Sequence, residues 1–438
     1  MENVLRLSGV RQAQLIRAGE ISSRELIEAH RKRIAEVNPA LNAVVDVLDE
    51  PIPETAPSGI FGGVPFSIKD SIEAEGTVCS AGTLGYRYSA PSIRDAALVA
   101  RLRGAGAIPL ARTNLPDLLL AFESDNLIFG RTNNPHDLTR TSGGSSGGEA
   151  ALIAACGSPF GLGSDAAGSV RLPAHYCGIA ALKPTYGRLS RTGHVPPAGG
   201  WIESLWQIGP MARHVEDLQA MMEVLVDPEG MPLRRWRDGQ SLRIAFFTDN
   251  GIMPAEAETK AVVLEAARAL EVLGHTVTEA RPAVIDQSYE LEMKFLGPDG
   301  GDGVRAFLKE IGSDRTHPLL EGWLGKLEPF RTDLAGFARY WGELDRFRGE
   351  MLAFLYGYDA LLSPVSATPA VLHGHSIRDD VFPGYSYTMT YNLTGWPAAV
   401  VSRGKSAAGL PIGVQIAAAP WREDIALGLA AQIELERE

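Results

Sequence analysis

Between His136 and Gly178 the chain reads HDLTRTSGGSSGGEAALIAACGSPFGLGSDAAGSVRLPAHYCG, with six serines and nine glycines around one apolar run from Ala150 to Cys156. A flexible linker has a Gly/Ser composition but no such apolar run in its middle. Glycine at this density suits places where backbones approach closely or the chain takes positive φ. The stretch therefore predicts tight loops around a short helix, holding serines in fixed positions. A glycine loop with no chemistry is the plain alternative.

The flanking sequence alternates strands with helices. Ser22 and Glu25 form a capping box opening a helix that Asn38-Pro39 should stop, and a strand of buried character is expected at AVVDV. GGVPFSIKDSI reads as a short apolar strand running into Lys69-Asp70. DAALVARLRGAGAIPLART reads as a helix closed by Gly104 and Gly106 and then a strand. A helix over Glu149–Cys156, a strand over Pro159–Ser164, and a strand-helix unit from LRIAFFTD onward complete the pattern. This alternation predicts an α/β fold, a sheet covered by helices on both faces. One large domain over residues 1–438 with a variable insert around 280–350 is the expected organisation; a split near residue 230 is the alternative.

The chain carries a net charge of -12, which repels phosphate backbones and anionic lipid and disfavours nucleic acid and membrane as partners. No apolar run approaches the roughly 18 residues of a membrane span, and charges interrupt the N-terminal segment where a signal peptide would be apolar. Cys79, Cys156 and Cys177 have no CxxC or zinc-ligand spacing, which predicts buried free thiols, no metal and a reducing, cytoplasmic setting.

Several chemistries compete for the serines. No lysine lies between Leu138 and Ala181, so a phosphate loop is excluded, and the glycines lack dinucleotide-fingerprint spacing. Gly-x-Ser-x-Gly is satisfied around Ser145 and around Ser146, as in the nucleophile elbow of an α/β-hydrolase esterase, with Asp359 and then His373 or His375 as later partners. The elbow serine should follow a buried strand directly, whereas HDLTRT is polar. Ser169 fits better, because it follows the strand PFGLGS and the turn DAAG. There the N–H groups of Ala166, Ala167, Gly168 and Ser169 itself can share one concavity, as an oxyanion hole requires. A serine needs a base, and His175 reads as a core or surface residue. Lys69, at the end of an apolar strand, is either a charge at the rim or a buried amine. A buried amine is held neutral at a cost of about 4 kcal/mol for a thousandfold displacement of its proton equilibrium.

GGSSGGEAALIAACGSPFGLGSDAAGSVRLPA resembles the signature of the amidase-signature family of serine hydrolases, and GGVPFSIKD, GAGAIPLARTN, CGIAALKPTYGRLS and GLPIGVQI extend the likeness over nearly the whole chain. The resemblance implies a large mixed twisted sheet between helical layers. It also implies a Ser-cisSer-Lys triad with Ser169 as nucleophile, Ser145 (24 residues upstream) as the bridging serine after a cis bond from Gly144, and Lys69 as base. Ser146 and Asp165 match positions that brace the loop, and Arg171 is expected to do the same or to pair with Asp165. Many members have Gly-Gly-Ser where this chain has Ala167-Gly168-Ser169; alanine keeps the N–H donor. The motifs FESDNLIFGRTNNPHDL and GGSSGGEAALIAA are most similar to the fatty-acid amide hydrolase-like branch, in which a backbone group at the position of Leu119 contacts substrate. Leu118, Leu120 and Phe122 would line the acyl side, or be plain core, with Trp201, Trp206 and Met211 opposite.

The implied activity is hydrolysis of a hydrophobic or aryl small-molecule amide, or an ester, through an acyl-enzyme and with no metal or organic cofactor. Dimerisation is common in the family, so a homodimer stands as an expectation with no interface legible in the sequence. An amidotransferase-type subunit supplying ammonia within a complex is the alternative from another class.

Overall fold

The computed structural model describes residues 1–53, 55, 57–197 and 200–436, the side chains of 200 and 201 excepted. Its main sheet contains β1 (Val44–Val47), β2 (Pro65–Lys69), β3 (Ile108–Thr113), β6 (Phe160–Asp165), β7 (Ala180–Lys183) and β8 (Gln207–Ala212). It is completed by β9 (Arg243–Phe246), β10 (Thr276–Glu279), β11 (Ala360–Pro364), β12 (Ala398–Lys405) and β13 (Pro411–Ala418). A separate short ribbon pairs β4 (Asn133–Asn134) with β5 (Asp137–Thr141).

The 11 strands run in the order β1-β3-β2-β6-β8-β7-β12-β13-β11-β9-β10. β2 pairs in parallel with β3 and β6, and β9 with β10 and β11, while the remaining pairs are antiparallel. The sheet is thus mixed, and the parallel group β3-β2-β6 places the ends of β2 and β6 side by side. Strands sandwiched on both faces read as continuous apolar runs: every residue of β2, β3, β6, β8 and β13 is buried. The helices Val215–Leu225, Ala257–Val272 and Glu423–Leu435 cover one face and share an apolar cluster with Phe66, Ile68 and Phe160. On the other face lie Gly147–Ala154 and Arg171–Cys177. No described helix is long and apolar enough to cross a membrane.

Two local expectations are corrected. Asn38-Pro39 does not end its helix, which opens with the Ser22–Glu25 capping box and continues to Leu41. Proline removes one N–H to the carbonyl of Ala35, but both residues face solvent, where water replaces that bond. The stop comes at Asn42, in the left-handed region at φ 50, and the Asn38 side chain accepts N–H bonds from Ala43 and Val44 at 2.8 Å. β1 is also less buried than AVVDV suggests. It is an edge strand whose Asp46 and Val47 are exposed.

Residues 280–350 form the helices Ser288–Leu296, Asp302–Glu310, Pro318–Leu327 and Leu334–Leu355. Their inner faces join Leu118, Phe122, Ala167 and Leu172 in a second apolar cluster, so this segment roofs the loops that follow β3 and β6. The strand that presents Lys69 is anchored by Phe66, which stacks on Phe160 with ring centroids 6.4 Å apart. Phe66→Ala should cost about 3–5 kcal/mol, read as a lower urea midpoint with an unchanged denaturant slope.

Candidate active site

Lys69 and Asp165 are the last residues of the parallel strands β2 and β6, the edge at which open α/β sheets carry their ligand sites. Four segments meet there: the end of β2, the Gly143–Gly147 loop, the turn 166–170 and the helix Ser386–Leu393.

Lys69 is fully buried. Its Nζ lies 2.6 Å from Ser145 Oγ and 3.0 Å from both Ser146 Oγ and Ser164 Oγ. Burial drives its pKa well below the usual lysine value, against the opposing pull of the Asp165 and Glu149 charges. Glu149 is buried as well, held by the Ser67 hydroxyl and by Thr113 Oγ1 at 2.7 Å. Burial pushes its carboxyl up to about 7, opposed by those hydroxyls and by Lys69. Nearest to the amine, then, are three hydroxyls and no carboxylate, so desolvation dominates. The other buried lysine of this region, Lys183, donates to Pro184 O at 2.8 Å and meets no serine hydroxyl.

The Gly144–Ser145 peptide bond is cis. Gly144 is required by close approach: a Cβ there would lie 2.6 Å from Ala121 O and from Glu123 N. Gly168 has φ +126, and a Cβ on it would overlap the Thr388 side chain. Thr388 in turn donates from Oγ1 to Ala167 O at 2.7 Å, pinning the turn.

Asp165 and Arg171 form a fully buried bidentate pair, with Arg171 Nε and Nη2 at 3.0 and 2.9 Å from the two carboxylate oxygens. Burial alone would raise the Asp165 carboxyl, yet the Arg171 charge and hydrogen bonds, with Asn392, hold it well below the usual range. Arg171 also reaches Gln415 Oε1, Asn392 Oδ1 and Thr388 O at 2.6–2.8 Å. The clasp thereby ties the 166–170 turn to the C-terminal third of the chain.

Ser169, at 8% exposure, is more open than Ser145 at 2%. Its carbonyl accepts the Ser146 N–H at 3.1 Å, which joins the two serine loops. Among the described residues the Ser169 hydroxyl makes no hydrogen bond, with the Ser145 hydroxyl or with any other group. Of the four backbone N–H groups expected to share one concavity, one is already engaged. The Gly168 N–H donates to Asp165 Oδ1 at 2.9 Å and is occupied, because the carboxylate folds back under the turn. Ala166, Ala167 and Ser169 keep backbone N–H groups with no acceptor among the described residues.

The elbow arrangement does not assemble. Asp359 pairs with Arg243, His373 bonds Leu138 O at 3.2 Å, the His375 ring meets no serine, and Ser145 faces Lys69. His175 is a core residue whose Nδ1 accepts the Gly413 N–H at 2.8 Å. Of the wall residues, Met211, Leu118 and Phe122 are core; Phe122 packs on Trp323 and Tyr385 at centroid distances of 5.2 and 4.2 Å. Leu119 and Leu120 are partly exposed, and both Leu118 and Leu119 hold positive φ, 49 and 63. Backbone strain of that kind is found at functional loops. Trp206 stacks edge-on against His194 with centroids 4.1 Å apart, and the Trp201 side chain lies outside the described residues. Sequence reasoning missed Ser164, Glu149, Thr388, Asn392 and Gln415. Only Glu149 left a signal, as the sole charge in the otherwise apolar helix GGEAALIA.

This architecture has known relatives. The Amidase family model matches residues 25–427, and the chain belongs to the amidase family. Fatty-acid amide hydrolase 1 of Sus scrofa is 31% identical over 99% of this chain and 86% of its own length. The acylamidase of Rhodococcus erythropolis is 32% identical over 100% and 96%. The solved structure of 6-aminohexanoate cyclic dimer hydrolase complexed with substrate, 31% identical, superposes with a TM-score of 0.87 over 99% of this chain and 97% of that one.

Breaking one half of a buried ion pair leaves the other charge stranded. Asp165→Asn should therefore destabilise the protein by about 3–5 kcal/mol, measured by chemical denaturation, with Arg171 left uncompensated.

Proposed function

We propose that the protein hydrolyses carboxylic amides through an acyl-enzyme on Ser169, with Ser145 and Lys69 relaying the proton. The observation that carries this reading is the buried Lys69 amine 2.6 Å from Ser145 Oγ, with no carboxylate in direct contact. A neutral amine has a lone pair to accept the Ser145 proton as Ser145 Oγ accepts that of Ser169. Ser169 Oγ then bonds to the carbonyl carbon. The oxyanion is met by the free N–H groups of Ala166, Ala167 and Ser169, each such donor being worth about 3–4 kcal/mol in the transition state. The relay reverses to protonate the nitrogen as the C–N bond breaks, and water repeats the cycle on the ester. The relay requires the Ser169 hydroxyl to hydrogen-bond Ser145 Oγ, and catalytic contacts of this kind commonly tighten when substrate binds.

The partly exposed Leu119 and Leu120, in a segment with positive φ at Leu118 and Leu119, favour a hydrophobic or aryl acyl group. The relatives named as an acylamidase and as a fatty-acid amide hydrolase agree with a free-standing amide hydrolase. An amidotransferase-type subunit would stay inert on simple amides until a second chain is added.

Ser169→Ala should abolish release of amine from an aryl amide, while Ser145→Ala keeps slow residual turnover; wild-type rates in either variant remove the assignment. The active form carries neutral Lys69, so kcat/KM should fall as pH drops through the lowered lysine pKa and level off above it. A pH profile that instead declines above neutrality would assign the base role to a different group.

A further inference from the structure

Between the helix Val215–Leu225 and β9 the chain includes the stretch MPLRRWRDGQ, residues 231–240, which shares no residue with the candidate active site. Trp236 fixes this stretch. Its indole lies on Gly428 of the helix Glu423–Leu435, where a Cβ would overlap the ring, and its Nε1 donates to Asp238 Oδ1 at 3.1 Å. Arg188 holds a second point: its Nη1 donates to Met231 O at 2.6 Å, while its Nη2 is paired with the buried Glu423 at 2.9 Å. Anchored twice, the stretch presents its three arginines from a fixed backbone.

Those arginines line a cavity of about 530 Å³. Arg234, Arg235 and Arg237 come from this stretch and Arg422 from the N-cap of the helix Glu423–Leu435, with Gln240 and Asp424 completing the lining. Arg234 and Arg237 are exposed and have no carboxylate or other partner among the described residues. Arg235 reaches only the exposed Glu223, at 3.9 Å. Asp424 is already clasped by Arg422 Nε and Nη2, each at 2.9 Å. The amide Nε2 of Gln240 is buried and has no acceptor. In a chain of net charge -12, four guanidinium groups thus meet one carboxylate around a single cavity.

Gathered like charges repel, and the unengaged groups of the lining are donors. A guanidinium fork pairs in bidentate fashion with a carboxylate or a phosphate. A single carboxylate occupies one fork, whereas several forks around a cavity of small-molecule size are matched by an anion with many oxygens and several charges. We propose that this cavity binds a small polyphosphate, either free or as the phosphate chain of a nucleotide.

Binding of inorganic tripolyphosphate to the full chain is to be measured by calorimetry at about 0.15 M salt, where general surface attraction is screened. One equivalent should bind. Arg234→Gln combined with Arg237→Gln should weaken binding by on the order of tenfold per arginine removed. Arg24→Gln combined with Lys32→Gln, which removes the same charge outside the cavity, should leave it unchanged. In the unmutated chain tripolyphosphate should also protect Arg234 and Arg237, but not Arg24, from phenylglyoxal, read by mass spectrometry; this arm needs no variant to fold. Tighter binding of ATP than of tripolyphosphate would assign the nucleotide form, and equal or weaker binding the free chain, with the phosphate site upheld in both cases. No binding, several equivalents per chain, equal loss in the two double variants, or absence of protection would overturn the proposal. Hexaglutamate binding as tightly as tripolyphosphate would overturn it too, in favour of a docking surface for acidic peptides. Amine release plays no part in these readouts, so they stand or fall apart from the hydrolase reading.

Discussion

The site is organised by the removal of one amine from water. Lys69 ends a strand whose every residue is buried, and the groups closest to its Nζ are hydroxyls. A lysine in such a place is destabilised as a cation, and the nearest charges, Asp165 and Glu149, act from outside its hydrogen-bond shell. The protein meets the resulting strain on its proton equilibrium by engaging both carboxylates elsewhere, Asp165 with Arg171 and Glu149 with Ser67 and Thr113. Were either free to swing onto Lys69, an ion pair would form and the lone pair would be lost.

The glycines are the steric counterpart of this electrostatic arrangement. Gly144 lets the serine loop pass against the backbone of 121–123, and Gly168 lets the 166–170 turn lie against Thr388. Each places a main chain where a side chain would otherwise stand. The serines are consequently presented by backbone segments locked to one another, with the Ser146 N–H on the Ser169 carbonyl as the direct link.

Much of this was legible in the sequence. The lysine strand, the paired serines and the 166–170 turn are contiguous motifs, and the structure brings Lys69, Ser145 and Ser146 within hydrogen-bond distance. What escaped has a common physical origin. Thr388, Asn392 and Gln415 lie more than two hundred positions from the turn they hold, and no local pattern encodes such a pairing. The Gly168 N–H reads from sequence as an oxyanion donor because composition shows where donors are but not which acceptor has claimed them. Pro39 misled because a helix loses little when the missing bond faces water. Sequence alone leaves Phe122 open between acyl wall and core and puts Met211 on the opposite wall, because aromatic and sulfur side chains suit a cavity and a core equally well.

The clasp around Arg171 has a consequence for synthesis. Its partners Asn392 and Gln415 come late in the chain, and β12 and β13, the strands of residues 398–418, lie in the middle of the sheet between β7 and β11. On a ribosome the lysine and serine motifs emerge long before the pieces that hold them rigid. A nascent polypeptide therefore displays its serines and its lysine in an unbraced state until β13, with Gln415, has emerged.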